Sequence, residues 1–347
     1  MKIKNIFIVI MILTLTIFSQ DKRGVRDNIG FCWDLNDFTK IINYLEKHDK
    51  SNFNNLKDKR IFGGISPHDD FLYAGNVYYP LFKLLRAKEV VIFGVTHSTV
   101  RKNINDPKNI VIFDNFKKWT GIRKDVEISQ LRESLKNKLS KKYFIVSNKA
   151  HKLEHSIEAL IPFLQYYNPD IKITPIMITK MKYEKMKEIS KEISNIIVNY
   201  IKKEKLTPGK DIIFLISSDG NHYGVDFNNY TFGKGLNGYK KAKEFDRYLI
   251  KKYLSNDLSI NKIEGFYNEV SIDNSKVLWC GKYSIPFGLT SIYYISKSLN
   301  INLKMKMLNY SDTFKNRVLC LKDVKCGITA PFSLEHWVSF VSIILYY

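Results

Sequence analysis

The sequence is poor in cysteine, with four in 347 residues. Small domains that depend on disulfides carry many more, so this chain is not a disulfide scaffold. It has only nine prolines and 17 glycines, and neither recurs at a fixed period, which excludes collagen-like and low-complexity architectures. In contrast, 45% of the residues are hydrophobic and 14% aromatic, which is enough to bury a large core and excludes global disorder.

Acidic residues are also scarce, with 34 Asp and Glu against 55 Lys and Arg, for a formal charge of +21. Only nine of the 55 are arginine, which leaves 46 lysines, whereas nucleic-acid recognition relies on arginine forks. The lysines are spread through amphipathic stretches such as residues 180–191, where Glu184 and Glu188 lie among them. We therefore expect solvated helix faces and no specific nucleic-acid partner. Attraction to an acidic surface, a membrane face or nucleic acid is the alternative.

The N-terminus has the pattern of a targeting segment. Lys2 and Lys4 precede a 13-residue run, residues 6–18, that is apolar apart from two threonines, and polar residues follow it. Secretory signals have this charge pattern and an apolar region of about 7–15 residues, whereas a transmembrane helix needs about 20. We expect residues 1–20 to be a signal peptide and the protein to be exported to the periplasm or the exterior. An uncleaved membrane anchor and a cytoplasmic location are the alternatives.

Four short apolar runs rich in β-branched residues follow, each ending in polar residues of catalytic type: 60–65, 89–95, 211–216 and 276–279. Continuous apolar runs of this kind are typical of strands buried on both faces. Amphipathic patterns predict helices over residues 77–85, 128–139, 157–164, 186–201, 239–253 and 285–299. Strands alternating with helices predict a single α/β domain over residues 21–347, with a largely parallel central sheet flanked by helices.

Chemically useful side chains lie directly after the predicted strands. Three of the seven histidines, His68, His97 and His222, are at such positions, and Cys280 follows the fourth run. The carboxyl ends of parallel strands meet at one edge of a sheet, where α/β proteins bind their ligands. Imidazoles with a thiolate suit iron, copper or zinc and do not suit magnesium or calcium. The pattern therefore predicts a transition-metal site at this edge.

Six fragments, spread over residues 61–332, carry a family resemblance. They are Ile65-Ser66-Pro67-His68, Gly94-Val95-Thr96-His97, Glu154-His155-Ser156-Ile157-Glu158, Ser217-Ser218-Asp219 with His222-Tyr223-Gly224, Cys280-Gly281 and Leu308-Asn309-Tyr310-Ser311. Each is weak by itself, but together, in this order and at these separations, they resemble the Memo-like proteins, called AmmeMemoRadiSam system protein B in prokaryotes.

The resemblance implies a fold related to the class III extradiol dioxygenases, an α/β architecture that uses non-haem iron. It implies metal ligation by His68, His97 and Cys280. It also implies a surrounding pocket formed by Asp219, His222, Glu154 and His155. Fe²⁺ is the expected cofactor, with copper or zinc as alternatives, and the expected partner is a small-molecule substrate or a peptide.

Each pocket residue has an expected role in this oxidoreductase hypothesis. Asp219 or Glu154 would orient a ligand imidazole through its second nitrogen, as carboxylates beside metal sites commonly do. His222 or His155 would move protons, because an unperturbed imidazole titrates near pH 6.5. Alternatively, Glu154 and His155 form a network that only holds the pocket together.

Two other functions remain open at this point. A Zn²⁺ hydrolase would use three protein ligands and a bound water, with Asp219 or Glu154 as the base. A binding module would use the old metal pocket to recognise a peptide or small ligand, which fits the discussion of eukaryotic relatives as interaction proteins. The substrate is not implied by the resemblance.

The chain departs from the family pattern after its first histidine. The family usually has His-Ala-Gly-Tyr there, and this chain has His68-Asp69-Asp70-Phe71. The two carboxylates either add an oxygen ligand to the site or face solvent and cap the next turn.

The C-terminal part leaves two further alternatives. Cys320 and Cys326 could pair in an exported protein, with Cys32 left over, or they could be small buried residues in strands over residues 319–328. His336 and the apolar tail, residues 337–347, are expected to be a terminal packing element, with a membrane or partner contact as the alternative.

Overall fold

The structure, a computed structural model, describes residues 21–49, 51, 53–271, 275–316 and 318–347. The predicted signal peptide, residues 1–20, lies outside the described residues. Within the described ranges, no helix has both the length and the apolar character that crossing a bilayer requires.

Thirteen strands of the described chain are joined in one sheet. They are β1 (Lys22–Arg23), β2 (Ile61–Ser66), β3 (Glu89–Val95), β4 (Val111–Phe113), β5 (Lys118–Trp119), β6 (Val126–Ile128), β7 (Phe144–Val146), β8 (Lys172–Ile178), β9 (Ile212–Ser217), β10 (His222–Tyr223), β11 (Asn256–Asp257), β12 (Lys304–Asp312) and β13 (Trp337–Tyr346).

Eleven α-helices lie in the same described ranges. They are α1 (Leu35–His48), α2 (Phe71–Phe82), α3 (Ser98–Lys102), α4 (Gln130–Lys138), α5 (Asn148–Leu153), α6 (Ile161–Tyr167), α7 (Tyr183–Lys203), α8 (Gly235–Tyr253), α9 (Ile260–Val270), α10 (Ser284–Ser298) and α11 (Thr313–Asn316).

The centre of the sheet is parallel. Strands β6, β8, β3, β9 and β2 are neighbours in this order and run in the same direction. Beyond β2, strands β13, β12 and β11 continue the sheet in antiparallel pairs. The predicted α/β fold with a largely parallel central sheet flanked by helices is therefore confirmed.

The core lies on both faces of this sheet. Along β3, Val91 and Phe93 join one buried apolar cluster, and Val90 and Ile92 join the other. Successive strand residues point to opposite faces, so a strand covered by helices on both sides must be apolar at every position. This explains why the central strands are continuous apolar runs in the sequence.

Three of the four predicted strands are observed, and the fourth is wrong. β2, β3 and β9 match the runs starting at residues 60, 89 and 211 within one residue at each end. The segment 276–279 is an irregular stretch, in which Trp279 makes one isolated bridge with Asn221. A four-residue apolar run is too short to distinguish a strand from a buried loop by pattern alone.

The sequence prediction missed β8, which contains a proline. Pro175 lies opposite Ile92 of β3. On the other side of β8, β6 pairs only as far as Ile173, and β4 pairs only with Met177 and Ile178. Proline cannot donate a ladder hydrogen bond. Pro175 lies in the gap between the stretch of β8 that pairs with β6 and the stretch that pairs with β4, so no donor is needed on that side.

Most predicted helices are present, but several starts are displaced, and in the first case α2 begins at Phe71 rather than at residue 77. A second case is the helix predicted over residues 157–164. Instead, a short 3-10 turn covers Glu158–Leu160, and α6 begins at Ile161 with Pro162 in its first turn. Proline is compatible with the first helical turn because its missing N–H has no partner there.

The C-terminal segment, predicted to be a terminal packing element, is a strand inside the sheet. The apolar tail is β13, which lies between β2 and β12 and is buried along almost its whole length. Before it, the C-terminal loop (residues 318–336) has no strand in its described residues, so the alternative of strands over residues 319–328 is wrong.

Candidate metal centre

Three neighbouring strands end at one place. His68 lies two residues after β2, His97 two residues after β3, and Asp219 two residues after β9. Because β3, β9 and β2 are adjacent and parallel, their carboxyl ends bring these side chains to the same edge of the sheet. The expectation that parallel strand ends collect the chemistry is met for these three residues.

Cys280 reaches the same place from a loop. The bridge between Asn221 and Trp279 fixes this loop, together with two hydrogen bonds: His222 N donates to Leu278 O at 3.0 Å, and Leu278 N donates to Asn221 Oδ1 at 2.8 Å. These contacts place the loop that carries Cys280 alongside the segment that begins at Asp219.

Gly281 allows the cysteine to approach so closely. A Cβ atom at residue 281 would lie 2.0 Å from Ser218 Oγ and 2.3 Å from Ser218 Cβ, which no side chain tolerates. With glycine there, Asp219 N lies 3.0 Å from Cys280 Sγ, and the thiol lies 3.4 Å from His68 Nε2.

A hydrogen-bond chain fixes the tautomer of His68. The hydroxyl of Ser217 donates to Ser156 O at 2.6 Å, so its proton is already used. His68 Nδ1, 2.7 Å from Ser217 Oγ, must then be the donor in that contact. In the neutral ring this leaves His68 Nε2 with a free lone pair directed at Cys280.

His97 is oriented in the same way by a carboxylate. Its Nδ1 lies 2.9 Å from Glu154 Oε1, and since a carboxylate only accepts, Nδ1 carries the proton. Glu154 also accepts the backbone N–H groups of His97, His155 and Ser156 at 2.9–3.0 Å. Its two oxygens therefore hold His97 and the turn after α5 in fixed positions, which leaves His97 Nε2 as the free nitrogen.

His155 and His222 complete the pocket without such firm anchors. The His155 ring stacks on His97, with ring centres 4.9 Å apart and planes 6° apart, but its Nδ1 lies 3.6 Å from Glu154. His222 Nδ1 lies 3.3 Å from Gly220 O, and a carbonyl oxygen accepts only. His222 therefore presents Nε2 as its acceptor.

Donor atoms from these residues meet in two groups among the described residues. One group is His68, His97 and His155, and the other is His68, Asp219 and Cys280, with all donor atoms of a group within 4.8 Å of each other. The expected ligand set of His68, His97 and Cys280 is thus divided between two groups that share His68. Either group supplies three donors.

The distances fit a single metal ion. Two donor atoms about 2.0–2.3 Å from a tetrahedral ion lie about 3.3–3.8 Å apart. His68 Nε2 lies 3.4 Å from both Cys280 Sγ and Asp219 Oδ2. Nitrogen and sulfur donors with one carboxylate oxygen suit iron, copper or zinc.

Burial and charge shift the titration of these groups. Burial holds the pKa of His68 well below its usual value, and it raises the pKa of the Cys280 thiol with help from the Asp219 charge. Burial raises the pKa of Asp219 to about 7. Burial opposes the charged form of Glu154, yet the neighbouring His97 outweighs it, so the pKa of Glu154 falls well below the usual range and that of His97 rises.

A cavity of about 690 Å³ opens in front of the donor groups. His97, His155, His222 and Cys280 line one part of it, whereas His68 and Asp219 are almost fully buried behind them. The rest of the wall is mixed: it has apolar side chains, among them Phe227, Trp279, Tyr283, Ile178 and Leu278, several hydroxyl groups, the cations Arg101 and Lys282, and the carboxylate of Asp226.

The two carboxylates after His68 have separate roles. Asp70 accepts hydrogen bonds from the backbone N–H of Thr329 at 2.5 Å and from its hydroxyl at 3.1 Å. Asp69 Oδ1 accepts from Asp70 N at 2.6 Å. Asp70 is the N-cap residue of α2, but its side chain makes no capping bond there and instead anchors the C-terminal loop beside the site.

The remaining histidines lie elsewhere. His48 is exposed at the end of α1, and His151 is buried with Nε2 3.1 Å from Ile112 O. His336 is nearer than expected, since its ring packs on Phe227, which in turn contacts His222.

Two supporting residues were missed by the sequence analysis. Ser217 was recognised only as part of a motif, although its position as the last residue of β9, two before Asp219, is the signal that could have assigned it. Asp246 on α8 accepts hydrogen bonds from Trp279 Nε1, Tyr310 OH and Ser339 Oγ at 2.7–2.9 Å. Nothing in its local sequence marks it.

The fold and the site together define a class: an α/β protein with nitrogen, sulfur and carboxylate donors at the carboxyl edge of a parallel sheet. A family model described as Memo-like protein matches residues 33–318. The chain therefore belongs to the Memo-like family, which confirms the resemblance found in the sequence. The fold is consistent with the relation of this family to the class III extradiol dioxygenases.

Curated relatives carry the same family description. A MEMO1 family protein of Methanosarcina barkeri is 28% identical over 274 residues, which cover 78% of this chain and 86% of that protein. A MEMO1 family protein of Saccharolobus islandicus is 32% identical over 190 residues, or 52% of this chain and 60% of that protein. One of Methanococcoides burtonii is 28% identical over 205 residues.

Proposed function

We propose that the chain binds one Fe²⁺ ion through His68, His97 and Cys280 and acts as an oxidoreductase on a small molecule held in the cavity. The observation that supports this most is the orientation of the two imidazoles. Separate hydrogen bonds use Nδ1 of His68 and Nδ1 of His97, so both Nε2 atoms are available, and that of His68 lies 3.4 Å from the Cys280 thiol. When bound, the metal would supply a redox-active centre with open positions for dioxygen or substrate.

In this proposal, Ser217 and Glu154 orient the metal ligands, and His222 transfers protons. Ser217 and Glu154 hold the two ligand imidazoles in one tautomer, as outer partners of metal ligands do. His222 lines the cavity, and burial lowers its pKa to about 4. It is therefore neutral at pH 7 and would accept a proton from a bound substrate rather than donate one.

The cavity wall supports a small organic substrate with an apolar or planar body. Phe227, Trp279 and Leu278 supply apolar surface, and Arg101 supplies positive charge at the same cavity. A volume of about 690 Å³ is in the range of small-molecule sites, about 300–1,000 Å³. A peptide side chain is the alternative occupant.

Metal analysis of protein purified without oxygen tests the proposal. We expect about one iron per chain in the wild type and a loss of at least about tenfold in metal affinity for His68→Ala, His97→Ala and Cys280→Ser. His48→Ala is the matched control, because this histidine is exposed on α1, and it should keep full occupancy. Wild-type protein without a transition metal, after growth in metal-replete medium, would contradict the proposal.

Cobalt substitution tests the thiolate separately. Co²⁺-loaded wild type should show a sulfur-to-metal charge-transfer band that Cys280→Ser lacks, because the band requires a metal–thiolate bond. If the band persists in Cys280→Ser, Cys280 is only a buried thiol. The ligand set would then be sought among His68, His97 and Asp219.

A Zn²⁺ hydrolase is the second candidate, and one observation favours it. The Asp219 carboxylate lies 3.4 Å from His68 Nε2, within reach of the water that a catalytic zinc holds. The same anaerobic metal analysis separates the two candidates, since zinc in place of iron or copper would support hydrolysis. A binding module would retain ligand binding after metal removal.

A further inference from the structure

Two cysteines that are distant in the sequence lie together beside the C-terminal loop. Cys32 is fully buried, and Cys326 packs against the apolar cluster that contains it. The Cys32 and Cys326 thiols are near enough to affect each other's titration, which lowers the pKa of Cys32 and raises that of Cys326. Both are free thiols in this structure.

The backbone on each side of Cys326 is attached to the region of Cys32. Gly327 N donates to Ile29 O at 2.6 Å, and Lys325 N donates to Asp37 Oδ2 at 2.9 Å. These two bonds hold the residues before and after Cys326 on the N-terminal part of the chain. The thiol contact is therefore part of a docked segment rather than a chance approach of one side chain.

The pairing differs from the one that the sequence spacing suggested. Cys320 is exposed, whereas Cys326 is partly buried against Cys32. A disulfide forms only when its two cysteines already lie close with suitable backbone positions. The backbone bonds described above bring Cys326 to the region of Cys32.

We propose that Cys32 and Cys326 form a reversible disulfide that fastens the C-terminal loop to the N-terminal part of the domain. In this reaction an external disulfide, such as oxidised glutathione, is reduced to two thiols while the two cysteine thiols are oxidised. Cys326, the more accessible thiol, first forms the mixed disulfide and releases one glutathione thiol. Cys32 then attacks the Cys326 sulfur, loses its proton and releases the second glutathione thiol.

The disulfide would act close to the metal centre. Thr329, three residues after Cys326, binds the Asp70 carboxylate, and Asp70 lies two residues after His68. Tyr73 OH also donates to Ala330 O at 2.8 Å. Fastening the loop at Cys326 would therefore restrict the segment that packs against the start of α2.

The test is equilibration of purified protein in glutathione buffers of graded composition, followed by alkylation and peptide mapping. We expect one intramolecular linkage, Cys32–Cys326, with an intact mass lower by about 2 Da. Cys320→Ala is the matched control and should retain the linkage, whereas Cys326→Ser should lose it. A Cys320–Cys326 linkage, or no intramolecular linkage in the most oxidising buffer, would overturn the proposal.

Limited proteolysis gives a second measurement that does not depend on the variants at the buried position. Oxidised wild type should be cleaved in the C-terminal loop at least about tenfold more slowly than reduced wild type, because cleavage requires the loop to open. Cys326→Ser should show no difference between the two conditions. Equal cleavage rates in oxidised and reduced wild type would contradict the proposed fastening.

Discussion

Ser217 decides which nitrogen of His68 is available, although its own hydroxyl is not a proposed ligand. It is fully buried, accepts from His68 Nδ1 and donates to Ser156 O. Without it, His68 would lose the partner that keeps the proton on Nδ1. The ring could then carry its proton on Nε2, the nitrogen that the proposed metal site uses.

Ser217→Ala is therefore predicted to weaken metal binding by about 10–100-fold while the fold is retained, as found for outer partners of metal ligands. Isothermal titration with Co²⁺ or Zn²⁺ measures this directly. Ser194→Ala is the matched control, because Ser194 is also buried and bonds only to backbone carbonyls on α7 and α10. Equal affinities for Ser217→Ala and wild type would show that the hydroxyl does not select the tautomer.

His222 gives a prediction for pH. Burial, together with the His97 charge, lowers its pKa to about 4, whereas an unfolded histidine titrates near 6.5. The folded state therefore binds fewer protons between these values, so stability falls as the pH decreases from about 6.5 to 4. Above about pH 6.5 His222 is neutral in both the folded and the unfolded state, so it causes no loss of stability there.

His222→Asn should reduce this pH-dependent loss by on the order of 3 kcal/mol, since the pKa falls from about 6.5 to about 4 and one pKa unit corresponds to about 1.4 kcal/mol. Urea unfolding of chelator-treated protein at several pH values measures it. His48→Asn, an exposed position, should leave the slope as in wild type. An unchanged slope in His222→Asn would mean that other groups cause the acid sensitivity.

At the level of structural elements, Asp246 joins three segments around the site. From α8 it accepts Trp279 Nε1, next to Cys280, as well as Tyr310 OH and Ser339 Oγ. Ser339 Oγ in turn accepts the backbone N–H of Asn221 at 2.7 Å. One buried carboxylate thus positions both the cysteine loop and the segment after Asp219.

Asp246→Ala should destabilise the protein by about 2–4 kcal/mol and lower its metal affinity, because three buried donors lose their acceptor. Asp246→Asn should restore most of the stability, since its carbonyl oxygen can still accept from Trp279 and the two hydroxyls can rotate. Urea unfolding and metal titration of both variants give the result. If Asp246→Ala lost stability but kept the metal affinity of wild type, Asp246 would support the core only.

Some of the site residues could be placed from sequence patterns, and others could not. His68, His97 and Asp219 follow continuous apolar strands. Their convergence was predictable because the carboxyl ends of adjacent parallel strands lie at one edge of the sheet. Cys280 was expected at a strand end and instead lies on a loop fixed by Asn221, which a local pattern does not reveal. Asp246 lies 33 residues from its partner Trp279, and only the tertiary fold brings them together.

At the scale of the whole molecule, residues 21–23 at the start of the described domain are bonded to β5 and to Glu158. Lys117 N donates to Asp21 O at 2.8 Å, and β1 pairs with β5. Arg23 is buried, forms an ion pair with Glu158 and stacks over Trp119 with a separation of 4.5 Å. Loss of Arg23 would leave the buried Glu158 carboxylate without its cation, with the backbone N–H groups of Arg26 and Asp27 still donating to it, and an uncompensated buried charge is destabilising.

We propose that residues 1–20 are removed on export and that the domain limits where cleavage occurs. The charged start and the apolar run of residues 6–18 have the pattern of a secretory signal. A cut beyond Arg23 would remove the partner of Glu158 and the β1 strand. N-terminal sequencing of native protein should therefore begin near Gln20 or Asp21 and never after Arg23.

Two engineered chains test both halves of this prediction. A chain starting at Asp21 should fold with the thermal stability of the processed native protein, whereas one starting at Gly24 should lose several kcal/mol, because Glu158 is then buried without its cation. Native protein that still begins at Met1 in the cytoplasmic fraction would contradict export. Equal stability of the Asp21 and Gly24 chains would show that Arg23 does not set the boundary, because the ion pair with Glu158 would then contribute nothing measurable to the folded domain.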